Sequence, residues 1–124
     1  MIHENNNAWD RSYVIIKEIV PNDLDVKHSI HLDKIYENYI EIYKILPIDS
    51  RLSRKSERLR FRFSREFFDD QSYQDTNLIR TLQEKAKKII INFDFDNATH
   101  GRDDDPPVHL YEIDTFGKLS KIDN

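Results

Sequence analysis

Apolar and polar positions alternate most regularly in residues 57–68, which have the sequence ERLRFRFSREFF. Leu59, Phe61 and Phe63 recur at every second position and are separated by arginines, which is the period of a β-strand. We therefore expect one face of this strand to lie in the core and the other face to carry a row of guanidinium groups.

Several other segments are rich in β-branched and aromatic residues, and these compositions favour strands. Residues 12–20 (SYVIIKEIV) are predicted to be an inner strand because both faces are apolar in the middle. Residues 87–96 (KKIIINFDFD, the longest apolar run) are predicted to be an inner strand that starts apolar on both faces and ends with one polar face as it leaves the sheet. Residues 108–114 and 118–122 are predicted to form a final hairpin, with Gly117 supplying the positive φ that its turn needs.

Two segments have apolar residues three and four positions apart, which predicts amphipathic helices. The first covers residues 29–46, and its apolar stripe includes Tyr36, Tyr39 and Tyr43. The second covers residues 72–88 and has a shorter apolar stripe. Both helices are expected to pack on the core through these stripes.

The predicted order of elements is β-α-β-α-β-β-β. Interleaved helices and strands of this kind predict an α+β fold, with a mixed sheet of four to five strands and two helices on one face. The 124 residues are expected to form one domain, residues 1–124. Residues 1–10 are polar and are predicted to be a loosely ordered N-terminal tail.

Composition excludes several classes of protein. The chain has no cysteine, which removes disulfide scaffolds and thiol chemistry and fits a cytoplasmic protein. It has two glycines, too few for a phosphate-cradling loop or a dinucleotide fingerprint. No stretch approaches the ~20 apolar residues of a membrane span, and we expect no cofactor, no bound metal and no catalytic residue.

Residues 51–65 hold seven cationic residues and one glutamate, although the net charge of the chain is −4. Arginine is well suited to bidentate contacts with phosphate or carboxylate groups. One hypothesis is that Arg58, Arg60, Arg62 and Arg65 bind an anionic partner, either nucleic acid or an acidic protein surface. The alternative is that the row is neutralised within the fold by carboxylates on a neighbouring strand, with each cross-strand pair contributing ~0.2–1 kcal/mol.

Acidic residues are concentrated in a second region, and we expect them to form an acidic surface: Asp94, Asp96, Asp103, Asp104 and Asp105. Carboxylates in this density are ligands that Mg²⁺ or Ca²⁺ prefers, so a metal-dependent hydrolase using Asp94 and Asp96 is one hypothesis. The simpler interpretation is a solvated loop, or the partners of the arginine row.

Tyrosine and arginine together are enriched in the energetically important parts of protein interfaces. Tyr36, Tyr39 and Tyr43 are therefore candidate partner-binding residues. We expect a small cytoplasmic protein that binds a macromolecule, of the type of an inhibitor or an immunity or counter-defence factor. Nucleic-acid binding through residues 51–65 is the second hypothesis and metal-dependent hydrolysis the third. A protein partner is favoured, a homodimer is an alternative, and no membrane association is expected.

Overall fold

The computed structural model describes residues 2–29, 38–47, 53–64, 66–67, 74–96 and 108–122. In these ranges the chain forms two helices and seven strands. Their order is α1 (Ile2–Lys17), β1 (Asp25–Ser29), β2 (Tyr39–Tyr43), β3 (Ile45–Pro47), β4 (Ser53–Lys55), β5 (Arg58–Phe63), α2 (Thr76–Asn92), β6 (Val108–Ile113) and β7 (Leu119–Ile122).

Five of the strands form one mixed sheet with the spatial order β1-β2-β5-β6-β7. Neighbouring strands are antiparallel except for β5 and β6, which are parallel. A parallel pair needs a crossover connection, and α2 lies in the chain between the two strands. The central part of the sheet is therefore a βαβ unit, flanked by antiparallel strands on both sides.

The strands β3 and β4 form a separate two-stranded sheet that continues the pairing of β2 with β5. Between the two sheets, Ser56 N–H donates to the Lys44 carbonyl oxygen at 2.8 Å, and Lys44 N–H donates to Ser56 Oγ at 3.0 Å. The fully buried Ser56 thus carries the pairing across the interruption, so that β2 to β5 form one long irregular hairpin.

Both helices pack on one face of the sheet, as predicted. The core contains β5 residues Leu59, Phe61 and Phe63, which are at most 2% exposed. Residues from the two helices and from the neighbouring strands join them: Ile15 and Ile16 from α1, Leu82, Ala86 and Ile90 from α2, Ile40 and Ile42 from β2, and Ile113 from β6. Burial of apolar area at this interface is the main force that holds the helices on the sheet.

The predicted fold class is confirmed: this is an α+β fold with a mixed five-stranded sheet and two helices, and the order of elements is roughly as expected. The alternating segment is strand β5, and its apolar residues are buried as predicted. The final hairpin is also present, and Gly117 has a φ of +75° in its turn.

The prediction of a strand at residues 12–20 was wrong, because this segment contains the second half of α1. Ser12, Ile15 and Ile16 are buried, whereas Val14 is 50% exposed. Buried positions three and four residues apart have the period of a helix, and the β-branched composition concealed it. Residues 2–10, predicted to be a loosely ordered tail, lie in the first half of α1.

The prediction of a helix at residues 29–46 was wrong in its second half, where β2 and β3 lie; residues 30–37 are outside the described part of the chain. The segment YIEIY fits a period of two as well as a helical stripe. The strand is favoured because Ile40 and Ile42 then reach the core together and pair with β5.

The prediction of a strand at residues 87–96 was also wrong, because α2 continues to Asn92. Ile90 lies on the buried stripe with Leu82 and Ala86, while Ile91 is 62% exposed. Three consecutive isoleucines resemble a strand locally, but the helix that begins at Thr76 extends through them because Ile90 fills the same core. The predicted helix over residues 72–88 is confirmed from Thr76 onward.

Candidate functional site

The candidate site is the face of the sheet that points away from both helices. Strand pairing places alternate residues of neighbouring strands on this side, because residues opposite each other in a ladder share a face. Its central part, called the outer face below, consists of Tyr39, Glu41 and Tyr43 from β2, Arg58, Arg60 and Arg62 from β5, and Val108, Leu110 and Glu112 from β6.

The middle of the outer face is organised around Glu41, whose side chain is only 2% exposed. Its Oε2 atom lies 2.6 Å from Arg60 Nε and 3.7 Å from Arg58 Nη1. A buried carboxylate is costly unless it is paired and hydrogen-bonded. The register that places Glu41 opposite Arg60 supplies this partner.

The second ion pair lies on the other side of β5. Arg62 donates from both Nε (3.2 Å) and Nη2 (2.8 Å) to Oε2 of Glu112. The two residues are direct neighbours in the parallel β5–β6 ladder. Both side chains remain partly open to solvent, at 31% and 39% exposure, so this pair can still contact another molecule.

Each of the two tyrosines lies beside a cationic side chain. The guanidinium carbon of Arg60 is 4.2 Å from the centre of the Tyr39 ring, and Lys55 Nζ is 4.6 Å from the centre of the Tyr43 ring. Such cation–π contacts hold long side chains in fixed positions. Burial raises the pKa of the Tyr43 hydroxyl above its usual range, and the carboxylates of Asp25 and Glu41 raise it further.

The three arginines of β5 are therefore paired inside the fold, as one of the two hypotheses expected. Their carboxylate partners are Glu41 and Glu112, and not Asp94 or Asp96, which were the suggested partners. Sequence reasoning overlooked both glutamates because it placed Glu41 in a helix and left the pairing partner of β6 undetermined. The alternation of glutamate with isoleucine in YIEIY was the available signal.

Asp94 and Asp96 lie after the end of α2. Asp96 forms an ion pair with Lys44, and its backbone N–H donates to Asp94 Oδ1 at 3.1 Å. The hydrogen bond that Lys44 Nζ donates to the carboxylate of Asp96 raises the pKa of Lys44, and the charges of Asp96 and Asp23 act in the same direction. In the described ranges, no group of three or more carboxylate, histidine or cysteine residues is arranged to hold a metal ion.

Five of the predicted partner-binding residues are thus brought together on the outer face: Tyr39, Tyr43, Arg58, Arg60 and Arg62. The remaining candidates lie outside the described residues: Tyr36, Arg65, Asp103, Asp104 and Asp105. Sequence reasoning did not anticipate Val108 and Leu110, which place half-buried aliphatic side chains beside the ion pairs.

Comparison with known proteins gave no further information about this surface. No family model, curated protein or solved structure matches the chain. Among the described helices, none combines the length and the apolar character that crossing a membrane requires.

Proposed function

We propose that the protein acts by binding another protein through the outer face, as an inhibitor or an immunity or counter-defence type factor. The observation that carries this proposal is the pairing of Arg60 with Glu41 and of Arg62 with Glu112 on a face that also carries Tyr39 and Tyr43. Tyrosine and arginine on a surface whose central charges are already matched have the composition of a protein interface.

The balance of charge on the outer face favours a protein partner over nucleic acid. Affinity for nucleic acid depends on unpaired cations that displace counterions from phosphates. Here three arginines face two glutamates at hydrogen-bonding or ion-pair distance, so an approaching phosphate would compete with Glu41 and Glu112. A protein surface can contact the same groups without breaking either pair.

The rigidity of these side chains supports the same proposal. Ordering a flexible side chain costs about 0.5–1.5 kcal/mol when it is immobilised on binding. Arg60 is already fixed by Glu41 and by the Tyr39 ring, and Arg62 is fixed by two hydrogen bonds to Glu112. A partner would therefore meet a preorganised surface.

We propose that the protein acts in the cytoplasm. A chain without cysteine has no disulfide for the reducing environment there to break. The partner could also be a second copy of the chain, joined through the same face. A measurement of molecular mass in solution, with and without the outer-face substitutions described next, distinguishes a homodimer from a complex with a different protein.

The experiment that tests the proposal is quantitative affinity capture from the native host with three immobilised proteins. These are the wild type, the outer-face variant Tyr43→Ala with Arg62→Ala, and the control Lys88→Ala, which changes an exposed residue of α2. We expect one host protein that the wild type and the control both capture. The outer-face variant should bind this protein about tenfold or more weakly, equivalent to about 1.4 kcal/mol of binding free energy.

Equal capture by all three proteins would refute the outer face as the binding surface. Circular dichroism should first establish that the double variant is folded. A salt titration of wild-type protein with DNA and RNA completes the test. Tight binding that weakens steeply with salt, and weakens further in the outer-face variant, would transfer the proposal to nucleic acid.

A further inference from the structure

A concave surface lies in the helical layer, on the side of the sheet opposite the outer face. A cavity of about 230 Å³ is lined by residues of α1, α2 and the segment just before α2: Arg11, Gln74, Thr76, Ile79, Arg80 and Gln83. Arg11 and Arg80 are both exposed and come from different helices. Two arginines from different helices therefore line one cavity.

These two arginines differ from those of the outer face in their partners. The side chains of Arg11 and Arg80 form no ion pair and no hydrogen bond with any residue that the structure describes. Among the described residues that line the cavity, none is acidic. Two cationic residues that line the same small cavity repel each other, and an anion bound between them would relieve this repulsion.

The walls of the cavity are held in place by a contact between the helices. Gln83 Nε2 donates to the backbone carbonyl oxygen of Ile15 at 2.9 Å and to Glu18 Oε2 at 2.9 Å. Since Ile15 is buried in the core, this contact fixes α2 against α1 close to the cavity. The spacing of the two arginine-bearing helices is thus set by the fold, before any ligand binds.

The N-terminus of α2 is already occupied by its own cap. Asp75 Oδ1 accepts hydrogen bonds from the backbone N–H groups of Asn77 at 3.0 Å and Leu78 at 3.1 Å. These amides are therefore satisfied without a ligand. The site rests on the side chains of Arg11 and Arg80, with the hydroxyl group of Thr76 and the amide of Gln74 as further polar lining groups.

We propose that this cavity binds the phosphate group of a small phosphorylated molecule, held between Arg11 and Arg80. A phosphate monoester carries a charge of about −1.5 to −2 at neutral pH, which matches two guanidinium groups, and arginine binds it through paired hydrogen bonds. The volume is below the roughly 300 Å³ at which pockets for whole drug-sized ligands begin, so the cavity takes the phosphate and leaves the remainder outside.

The test is a titration of the isotope-labelled full chain, followed through its backbone amide signals in NMR spectra. The probes are inorganic phosphate and a nucleoside monophosphate, each added at constant ionic strength against sodium chloride. We expect saturable shifts of the amides of residues 74–80 and of Arg11. If inorganic phosphate alone produces these shifts, the free anion is sufficient for binding. If the nucleoside monophosphate binds more tightly than inorganic phosphate, the ligand is a phosphate ester.

Three variants make the test specific. Arg11→Gln and Arg80→Gln should each weaken binding by about tenfold or more, the effect of losing one charged hydrogen bond. Lys88→Gln removes a charge from an exposed position of α2 outside the cavity and should leave binding unchanged. Shifts that do not saturate with either probe, or equal binding by all three variants, would overturn the proposal. Because the site lies apart from the outer face, either result leaves the protein-binding proposal to its own test.

Discussion

The Oε2 atom of Glu41 lies 2.6 Å from the Nε atom of Arg60, although Glu41 is on the sheet face opposite the helices and is almost completely buried. This pair neutralises part of the row of cationic side chains on β5. It also makes one carboxylate responsible for the position of two arginines, since Arg58 is held by the same oxygen atom.

Removing the charge of Glu41 should destabilise the protein. Glu41→Gln is nearly isosteric but removes the negative charge that lies between Arg58 and Arg60, so we expect a loss of about 1.5–3 kcal/mol in the free energy of unfolding. Urea denaturation measures it. The matched control is Glu112→Gln, where the pair is 31% and 39% exposed and the expected loss is about 0–1 kcal/mol. Equal losses in the two variants would contradict the central role of Glu41.

Stability should depend on pH through His28, which stacks on Tyr13 of α1 with ring centres 5.1 Å apart. Burial lowers the pKa of His28 below 6.5, and the nearby carboxylate of Asp10 opposes this shift only partly. The unfolded chain therefore takes up the proton first, so the free energy of unfolding falls as pH decreases through about 6.5 and levels off below the folded-state pKa.

The variant His28→Phe keeps an aromatic ring against Tyr13 but cannot be protonated. Urea denaturation at a series of pH values from above neutrality to below pH 6 should give a shallower decline for this variant than for the wild type. Other titrating groups are common to both proteins and cancel in the difference. Parallel curves would exclude a contribution from His28.

Gly117 should not tolerate a side chain. Its φ is +75°, which costs other residues about 1–2 kcal/mol, and a Cβ atom there would lie 2.9 Å from Leu78 Cδ2. We expect Gly117→Ala to lower the free energy of unfolding by at least that amount in thermal or urea denaturation. Repeating the change in a Leu78→Ala background separates the two causes, because only the crowding is relieved. If Gly117→Ala leaves the free energy of unfolding unchanged, both causes are contradicted.

The side chain of Asp75, which caps the N-terminus of α2, should contribute to stability. Asp75→Ala leaves the N–H groups of Asn77 and Leu78 without their acceptor and should cost about 1 kcal/mol. Asp75→Asn, which can accept the same hydrogen bonds, should be nearly neutral. Thermal denaturation of the two variants checks this, and a similar loss in both would show that charge, and not capping, is what Asp75 contributes.

Sequence reasoning succeeded where the spacing of apolar residues was compatible with only one type of secondary structure. Leu59, Phe61 and Phe63 alternate with arginines, and only a strand separates the two types. The final hairpin was equally well defined, because Gly117 marks a turn that other residues disfavour. These elements form the centre and one edge of the sheet, and with the helix at α2 they were sufficient to predict the fold class.

Sequence reasoning failed where isoleucine-rich segments fit both the period of a helix and the period of a strand. In α1, Ile15 and Ile16 are buried and Val14 is exposed, a pattern that is visible only when the position of the sheet is known. In β2, Ile40 and Ile42 were assigned to a helix for the same reason. Tertiary packing decided both cases, and intrinsic propensity did not.

The candidate site was predicted in part. The arginines of β5 and two of the tyrosines were named in advance, but their glutamate partners were not. Glu41 and Arg60 are 19 residues apart and Arg62 and Glu112 are 50 residues apart. Such pairs follow from strand register, which a single sequence does not specify when the identity of the strands is itself in doubt.

The parallel contact between β5 and β6 has a consequence for biosynthesis. Residues that are neighbours in this ladder, such as Arg62 and Glu112, are 50 positions apart in the chain. At about 5–20 residues per second, a ribosome needs several seconds to supply β6 after β5 has emerged. For that interval, the backbone N–H and C=O groups of β5 that will pair with β6 have no neighbouring strand. Unpaired strand edges of this kind can pair with another polypeptide.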